Sequence, residues 1–510
     1  MNPPARRAAT LEVPTAAALG ALQTLAFVHT AWAWPLPILT LAWLVTRLDV
    51  ARPARAALLG LAYGTGWLAA GVWWLFISMH RYGGLPAALA ALAVLALALA
   101  LSLYLALAAA AYARWRCGRV LVDVPLFAAL WLLAELARGV LFTGFPWVAS
   151  GYAMVDAPLA ALAPWVGVYG IGAAVAALAA LLAALLVQRA WRAWRGLAAA
   201  GVLLAALALA GPGEHTAGSG RLTLALVQTN VAQDEKFAAD RLPQALADLA
   251  RALLEARASL VVAPETAVPL LPFQLDEFAP GYWAQLRAHF SDPARAALVG
   301  VPLGDFDRGY TNSVLALAAG SDYRYDKHHL VPFGEFIPRG FRWFTEAMNI
   351  PLGDFTRGVV DPPSFAFAGQ RIAPHICYED LFGEELARRF ADPARAPTLL
   401  ANLSNIGWFG DTIAITQHLN ISRLRALEFQ RPVIRATNTG ATAIVDHRGR
   451  VAAQLAPHTR GVLHGEVEGR QGLTPYARWA AHAGLAPLAL LAALVGVAAV
   501  VARRSSARSQ

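Results

Sequence analysis

The chain has 510 residues, of which 57% are hydrophobic and 15% are charged, and its formal net charge is +9. Globular proteins usually carry about 25% charged residues. This composition excludes a disordered, fibrous or small disulfide-rich protein, and it predicts segments that span a membrane. The two cysteines, Cys117 and Cys377, cannot form a disulfide framework.

Acidic residues divide the chain into two parts of different character. Before Gly211 the only acidic residues are Glu12, Asp49, Asp123, Glu135 and Asp156. All the others lie beyond that point, in a segment with the composition of an ordinary globular domain. The first part is therefore predicted to lie in a membrane.

Apolar segments predict eight transmembrane helices, because a helix needs about 20 apolar residues to cross a bilayer. The uncharged stretch from Pro14 to Thr46 is interrupted by Pro35 and Pro37, which predicts a hairpin of two short spans. It leads directly into further spans, so a cleaved signal peptide is not predicted. The other spans are expected near Ala56–Met79, Leu85–Ala113, Val120–Leu141, Ala157–Gln188, Gly196–Gly211 and Trp479–Ala502.

Arginines between these spans predict the orientation, since cytoplasmic loops are enriched in basic residues. With a cytoplasmic N-terminus, the short outer loops carry only Arg81. Eight spans then place both termini in the cytoplasm and the globular part outside it. The basic charge is thereby attributed to topology and to anionic lipid, and no nucleic acid is expected. The predicted cytoplasmic arginines are Arg6, Arg7, Arg47, Arg52, Arg55, Arg114, Arg116, Arg119, Arg189, Arg192, Arg195, Arg503, Arg504 and Arg508.

The globular part predicts a layered α/β domain. Short runs of Val, Leu and Ile alternate with amphipathic stretches such as Ala245–Ala258 and Gly383–Phe390, as expected for a buried sheet covered by helices. Linkers rich in Gly and Pro give predicted domains of 1–211, 221–470 and 479–502. The predicted strands are Leu222–Val227, Leu260–Ala263, Ala297–Pro302, Ser313–Leu317, Ile372–Ile376 and Thr398–Asn402.

Three polar residues lie just beyond predicted strands, where α/β proteins tend to build sites. Glu265 follows Leu-Val-Val-Ala-Pro, Cys377 follows Ile-Ala-Pro-His-Ile, and Lys327 follows the strand around Val314. A carboxylate can take the proton of a thiol, and a lysine favours both a thiolate and an oxyanion. Together the three residues would suit acyl transfer through a thioester.

Each of these residues also has a structural interpretation. A buried cysteine is commonly a small core side chain, a glutamate can cap a helix, and a single loop lysine is usually solvated. His375 would share the strand face of the cysteine and allow a Cys–His pair instead. His328 and His329 are adjacent and have no zinc spacing, so no metal site is predicted.

Motifs along nearly the whole chain resemble those of the apolipoprotein N-acyltransferase family of bacterial inner membranes. The most specific is His-Leu-Val-Pro-Phe-Gly-Glu-Phe-Ile-Pro at 329–338. The resemblance implies an α/β domain, a nitrilase-like αββα sandwich of the carbon-nitrogen hydrolase superfamily, inserted between the seventh and eighth helices of a polytopic α-helical membrane domain. The other motifs are Gly-Phe-Pro-Trp at 144–147, Ala-Leu-Val-Gln-Thr-Asn at 225–230, Ala-Pro-Glu-Thr-Ala at 263–267, Ile-Cys-Tyr-Glu at 376–379, Trp-Phe-Gly at 408–410, and Arg-Ala-Leu-Glu followed by Arg-Pro within 425–432.

The resemblance also implies a reaction. Glu265 would be the general base, Lys327 would stabilise the anionic intermediate, and Cys377 would be acylated by a phospholipid. The acyl chain would then pass to the α-amino group of a diacylglyceryl-cysteine at the N-terminus of an apolipoprotein. No cofactor is implied, and we expect a monomer that acts on the periplasmic side of the inner membrane.

Family members depend on further residues, and each has an alternative interpretation here. Glu335 could be a helix-cap carboxylate, Tyr378 could simply pack beside the thiol, and Glu379 could support the lysine or face solvent. Trp408 resembles an aromatic residue that lines the acyl pocket, although core packing is equally consistent. Phe237 stands on a loop thought to gate the site, where the family often has tryptophan.

Two further features leave alternatives open. Asn405 is followed by Ile406 where the family often has aspartate, which puts that loop's polar contacts in doubt. Glu135 and Arg138 share a face of a predicted membrane helix, as a structural pair or as a headgroup-binding site. An interfacial aromatic belt is expected at Trp73, Trp74, His80, Arg81 and Tyr82, with docking of the lipid substrate as the alternative.

Two other functions compete with acyl transfer. A membrane-tethered amidase or nitrilase would use the same three residues, but it would not need seven preceding spans. A transporter or scaffold that carries an inactive hydrolase domain is the non-enzymatic alternative.

Overall fold

A computed structural model describes residues 3–188, 193–338 and 354–508. The chain forms two compact units. The first comprises the residues up to Trp73, Ala87–Gly213 and the segment from Ala483, and the second comprises Trp74–Pro86 and Glu214–His482. Two of the arginines used to predict orientation, Arg189 and Arg192, lie outside the described residues.

The first unit is helical and apolar, as expected for a part that spans a membrane. Among the described residues, five helices are long and apolar enough to cross a bilayer: Leu11–Val28, Ala87–Trp115, Val120–Thr143, Pro158–Leu186 and Ala486–Ser505. The pair Pro53–Gly71 and Leu75–Tyr82 passes the same test jointly, and Pro35–Leu48 and Ala198–Ala210 are shorter apolar helices. A multi-helix membrane part is therefore confirmed, while the count of eight spans stays a prediction. The α-helices of this unit are Pro3–Leu22, Thr24–Val28, Thr30–Ala33, Pro35–Leu48, Pro53–Gly71, Ala87–Trp115, Val120–Val140, Ala163–Gln188, Ala193–Ala210 and Ala486–Arg508.

Glu135 and Arg138 form a fully buried ion pair inside this unit. Arg138 Nη1 donates to the carbonyl oxygens of Phe145 at 3.0 Å and Trp147 at 2.7 Å. Glu135 Oε1 lies 3.7 Å from Arg138 Nη2 and accepts from the backbone N–H and the hydroxyl of Ser150. The arginine of the pair thus supplies hydrogen bonds to carbonyl oxygens of the non-helical Gly-Phe-Pro-Trp segment, because the interior of a membrane offers no water to do so. These contacts favour the structural interpretation of the pair.

The second unit contains two six-stranded sheets. The first sheet consists of β1 (Ala217–Gln228), β2 (Leu260–Val262), β3 (Ala296–Asp305), β4 (Gly309–Ala318), β5 (Arg324–Asp326) and β12 (Gly461–Gln471). The second consists of β6 (Phe365–Phe367), β7 (Gln370–Ile376), β8 (Leu399–Ser404), β9 (Val433–Thr437), β10 (Ala443–Val445) and β11 (Val451–Gln454). The strand order is β12-β1-β2-β3-β4-β5 in the first sheet and β11-β10-β9-β8-β7-β6 in the second.

Alternate side chains of β1 enter two different core clusters, which shows how this sequence builds a layered fold. Leu224 and Leu226 enter a core cluster that includes Ile376 and Leu403 of the second sheet. Ala225 and Val227, one residue out of phase, enter a different cluster with apolar residues of the helices. Successive side chains of a strand point to opposite faces, so a strand that is apolar on both faces is buried on both. The predicted αββα sandwich is confirmed.

Helices cover the outer faces of the sheets. Residues of Leu242–Glu255, Pro272–Phe278 and Tyr282–His289 join the core cluster on the outer face of the first sheet, and Ala414–Phe429 contacts β9 and β10 of the second. The first of these overlaps the predicted amphipathic stretch Ala245–Ala258. The other described α-helices that lie in or begin in this unit are Leu75–Ile77, Gly383–Ala387 and Pro475–Ala483.

Parallel pairing brings the ends of several strands to common edges. β7, β8 and β9 run parallel to one another in the second sheet, as do β1, β2 and β3 in the first. Cys377 directly follows β7, Asn405 directly follows β8, and Glu265 lies just beyond β2. The fold thus gathers residues that are far apart in sequence.

We expect Arg138→Met to lower the free energy of unfolding by about 3–5 kcal/mol, because it leaves the Glu135 carboxylate buried without its cation. Thermal unfolding of the purified protein in detergent measures the change. Arg114→Met, at an exposed position near the end of another helix, is the matched control and should have little effect. Equal melting temperatures for the Arg138→Met protein and the parent would contradict the structural role.

Candidate active site

Cys377 occupies a sharp turn at the end of β7. Its backbone φ is 50°, in the left-handed region, and a 3-10 turn begins at this residue. The left-handed conformation costs a residue with a Cβ about 1–2 kcal/mol, so contacts with the surrounding structure must stabilise it. Such strand-to-turn geometry is a known way to present a nucleophile at the edge of a sheet. The thiol is half-buried and unbridged.

Glu265, Lys327 and Glu335 form a buried cluster of charges. Lys327 Nζ donates to Glu265 Oε1 at 3.2 Å and to Glu335 Oε1 at 3.0 Å. Asn312 Nδ2 donates to the same two oxygens at 2.7 Å each. The backbone N–H of Asn405 donates to Glu265 Oε2 at 2.8 Å. One ammonium and one amide thus fix two carboxylates that would otherwise repel each other.

The surroundings raise the pKa of both Lys327 and Cys377, so the lysine stays charged and the thiol stays protonated. Burial opposes the charge of Lys327, but attraction to Glu265 and Glu335 outweighs it and raises the pKa of Lys327 above its usual value. For Cys377, burial and then the Glu265 carboxylate raise the pKa of the thiol to about 12, against the lowering effect of Lys327. The resting site therefore holds a protonated thiol, and nucleophilic attack needs a base that takes its proton.

Glu379 accepts four hydrogen bonds and joins two parts of the site. Its Oε1 accepts from the backbone N–H groups of His328 at 2.7 Å and His329 at 3.1 Å. Its Oε2 accepts from the Tyr325 hydroxyl and from the backbone N–H of Ile376, both at 2.6 Å. The carboxylate therefore joins the segment after Lys327 to the strand that ends at Cys377, and it does not face solvent.

The remaining predicted site residues have less defined contacts. The Tyr378 ring is buried and packs 5.7 Å from His329 and 5.3 Å from Phe382, between ring centres. Trp408 is half-buried and meets Tyr82 edge to face at 5.7 Å. Phe237 is half-buried on the loop between β1 and the following helix.

Glu335 accepts a hydrogen bond from the backbone of its own loop. Its Oε2 accepts from the backbone N–H of Val331 at 2.8 Å, while Oε1 faces the lysine. The carboxylate therefore shapes the loop and joins the charge cluster at once.

Segment Trp74–Pro86 belongs to the second unit, although its apolar character indicated the membrane part. Trp74 is buried, its Nε1 donates to Gln417 Oε1 at 3.0 Å, and its ring centre lies 4.2 Å from that of Phe409. The expectation of an interfacial belt is therefore wrong for Trp74. The local sequence could not show this, because Gln417 and Phe409 lie more than 330 residues away along the chain.

Sequence reasoning missed Lys236 and Asn312. Lys236 Nζ donates to the backbone carbonyl of Glu265 at 3.1 Å. Burial lowers the pKa of Lys236 to about 8, against the attraction of Glu265 and Cys377. Asn312 lies in β4 within Thr-Asn-Ser, and this polar triplet inside an apolar strand is the signal that could have identified it.

The polar contact described for His375 is with Asp380 and not with the Cys377 thiol. Its Nε2 lies 2.9 Å from Asp380 Oδ1, and the ring is fully buried. The Cys–His alternative therefore gains no support from geometry. Within residues 3–188, 193–338 and 354–508, no group of three or more His, Cys, Asp or Glu side chains is arranged to hold a metal ion.

Comparison with known proteins identifies both parts of the chain. A family model described as the apolipoprotein N-acyltransferase N-terminal domain matches residues 19–181, and the carbon-nitrogen hydrolase model matches residues 223–476. An apolipoprotein N-acyltransferase of Verminephrobacter eiseniae is 53% identical over 493 residues, which cover 89% of this chain and 90% of that protein. Its counterpart from Ralstonia nicotianae is 47% identical over 502 residues, covering 96% and 93%.

A solved carbon-nitrogen hydrolase from Helicobacter pylori is 17% identical with a TM-score of 0.34, and the match covers 49% of this chain and 90% of that one. Family membership rests on the much closer full-length relatives, which share both the helical part and the α/β part. The chain belongs to the apolipoprotein N-acyltransferase family.

Proposed function

We propose that this chain transfers a fatty acyl chain from a phospholipid to the α-amino group of an N-terminal diacylglyceryl-cysteine of apolipoproteins, through a thioester on Cys377. The observation that carries the proposal is the buried cluster of Glu265, Lys327 and Glu335 beside a protonated thiol. The cluster belongs to a chain with several apolar helices and with acyltransferases as relatives.

In the first half-reaction, Glu265 takes the proton of Cys377 as the sulfur attacks the ester carbonyl of the phospholipid. Negative charge develops on the carbonyl oxygen, and the Lys327 ammonium together with nearby backbone N–H groups stabilises it. When the tetrahedral intermediate collapses, the C–O bond breaks and Glu265 returns the proton to the leaving oxygen. A lysophospholipid departs, and the acyl chain remains on sulfur.

In the second half-reaction, the acceptor amine attacks the thioester carbonyl. Glu265 takes a proton from the attacking nitrogen, the C–S bond breaks, and the thiol regains its proton. The product is an N-acylated lipoprotein, and the enzyme returns to its starting state. Since each half-reaction uses the same base and the same cation, the two substrates would bind in turn at one site.

Glu335 and Asn312 would keep Lys327 in place through both steps. Lys327 Nζ already donates to both carboxylates, so its position changes little when Glu265 becomes protonated. Preorganised charge of this kind needs no rearrangement at the moment of reaction. Glu379 supports the same geometry through the backbone next to the lysine.

A membrane location suits both substrates. Each acyl CH₂ group transferred from water into an apolar environment gains about 0.8 kcal/mol, so long acyl chains need an apolar approach. We infer an orientation with the catalytic domain on the periplasmic side of the inner membrane and with cytoplasmic termini. We also infer domains at 1–211, 221–470 and 479–502 and action as a monomer.

Purified full-length protein incubated with phospholipid in detergent should gain the mass of one acyl chain. Cys377→Ala should abolish the adduct, whereas Cys117→Ala should retain it, because only the first of these thiols lies beside the charge cluster. Glu265→Gln should slow formation of the adduct by about 10²–10⁴-fold, the usual contribution of a general base. Intact-mass spectrometry measures all three variants.

The same experiment separates the competing functions. Release of free fatty acid or ammonia without an adduct would indicate a hydrolase and contradict the proposal. In cells, a lipoprotein N-terminus should carry three acyl chains with the parent and two with Cys377→Ala. Three chains with Cys377→Ala would favour the non-enzymatic alternative.

Glu265→Gln should have opposite effects on thiol reactivity and on acyl transfer. Because the Glu265 carboxylate raises the pKa of Cys377, removing its charge lowers that pKa, and more thiolate is present at a given pH. Alkylation by iodoacetamide at pH 8 should therefore become faster, by about tenfold for each unit that the pKa falls.

The comparison is best made in a Cys117→Ala background, where Cys377 is the sole cysteine. Glu335→Gln is the matched control, and since Glu335 raises the same pKa less, its effect should be smaller. Slower alkylation of Glu265→Gln would show that the carboxylate does not act on the thiol as described.

A further inference from the structure

A second polar network contacts Cys377, and the mechanism above makes no use of it. The network consists of buried side chains from four elements of the second unit: the turn after β7, β8, helix Ala414–Phe429 and β9. Each of its central members is fully buried. They are Asp380, Asn402, His418, Ser422 and Arg435.

Two side chains of this network reach the backbone carbonyl of Cys377. His418 Nε2 lies 3.2 Å from the carbonyl oxygen, and Asn402 Nδ2 makes a longer contact of 3.5 Å. Both are in turn contacted by Arg435, whose Nη2 lies 2.7 Å from His418 Nδ1 and whose Nη1 lies 3.1 Å from Asn402 Oδ1. One guanidinium therefore orients both groups that hold the carbonyl.

The arginine fixes the protonation state of His418. A guanidinium can only donate, so Nδ1 of His418 accepts and carries no proton. The proton of the neutral ring then lies on Nε2, which donates to the Cys377 carbonyl. Burial, and then the nearby Arg435, lower the pKa of His418 to about 3, which agrees with a neutral ring. His418 therefore does not exchange protons in the physiological range.

Asp380 balances the charge of the arginine inside the domain. Its Oδ2 lies 3.5 Å from Arg435 Nη1 and accepts from the Ser422 hydroxyl, which itself accepts from Arg435 at 2.7 Å. Its Oδ1 contacts His375 at 2.9 Å. A buried arginine that is both paired and hydrogen-bonded keeps its direction, whereas an unpaired one would be costly.

The consequence for Cys377 follows from peptide geometry. Its φ of 50° is unfavourable for a residue with a Cβ, so contacts must stabilise the conformation. The Cys377–Tyr378 peptide is trans, and the carbonyl and N–H of a trans peptide point in opposite directions. A carbonyl held by His418 therefore directs the Tyr378 N–H away from this network.

We propose that His418, oriented by Arg435, is a positioning residue that holds the Cys377 carbonyl and keeps the nucleophile in its left-handed conformation. In that conformation the thiol meets Glu265 and Lys327. The inference rests on the proposed function in so far as Cys377 is the nucleophile. It adds a role for a histidine that neither donates nor accepts a proton in the reaction.

The test measures alkylation of Cys377 by iodoacetamide, in which the sulfur displaces iodide, followed by intact mass. The full-length protein in detergent carries Cys117→Ala, so one thiol remains. We expect His418→Leu to speed alkylation by about 10–100-fold, because a thiol that leaves this conformation loses the burial and the Glu265 charge that raise its pKa. His418→Gln should stay within about threefold of the parent, because its amide can accept from Arg435 and donate to the carbonyl.

His418→Asn provides a second comparison if the leucine variant does not fold. Its amide can still meet Arg435 but is one bond too short to reach the Cys377 carbonyl, so it should alkylate as fast as the leucine variant. His375→Leu is the matched control, since His375 is equally buried and contacts Asp380 but makes no described contact with that carbonyl. Folded His375→Leu protein should alkylate within about twofold of the parent.

Three results would overturn the proposal. Folded leucine and asparagine variants that react at the parental rate would leave the network with a role in stability alone. A glutamine variant as fast as the leucine variant would show that the imidazole itself is required. A His375→Leu protein that is equally fast would show a general loosening of the site.

Alkylation uses no lipid, so the two proposals can fail separately. If the predicted order of alkylation rates is found but no acyl adduct forms from phospholipid, the proposed function fails and the positioning role stands. If the adduct forms in the parent and the alkylation rates do not differ, the function stands and the positioning role fails.

Discussion

The pairing of Lys327 with two carboxylates is the interaction on which the site depends. Removing an ammonium from water costs several kcal/mol, and a single buried partner often fails to offset that cost. Here Glu265 and Glu335 both lie within 3.2 Å of Nζ, and Asn312 binds the same two oxygens. The segment after β2, the strand β4 and the loop around Glu335 must therefore converge. A change that separates them leaves charge buried without a partner.

The same charges affect the protonation state of the Cys377 thiol. Glu265 and Lys327 act on the pKa of Cys377 with opposite signs, and burial together with the carboxylate prevails. In the proposed mechanism, this thiol stays protonated until Glu265 accepts its proton, so one residue would couple ionisation to attack. Lys327 would stay charged throughout and stabilise the oxyanion.

Two separate networks thus converge on one residue. The charge cluster contacts the side chain of Cys377, whereas His418 and Asn402 contact its backbone carbonyl. In the two proposals, the first network would supply the base and the cation, and the second would stabilise the left-handed conformation of Cys377. Glu379 joins the backbone on both sides, because it binds the segment after Lys327 and the residue before Cys377. In the first unit, Arg138 likewise donates to backbone carbonyl oxygens of the non-helical Gly-Phe-Pro-Trp segment.

The sequence by itself determined the layered α/β fold, the membrane helices and the positions of Glu265, Lys327 and Cys377. Local periodicity reveals which strands are buried on both faces, and turn positions after strands reveal where polar groups gather. The tertiary structure alone decided that Asn312 and Lys236 contact Glu265, that His418 contacts the Cys377 carbonyl, and that Trp74 packs in the second unit. Asn405 and Glu265 hydrogen-bond across 140 residues. Contacts at such separation depend on strand order and register, which no local pattern records.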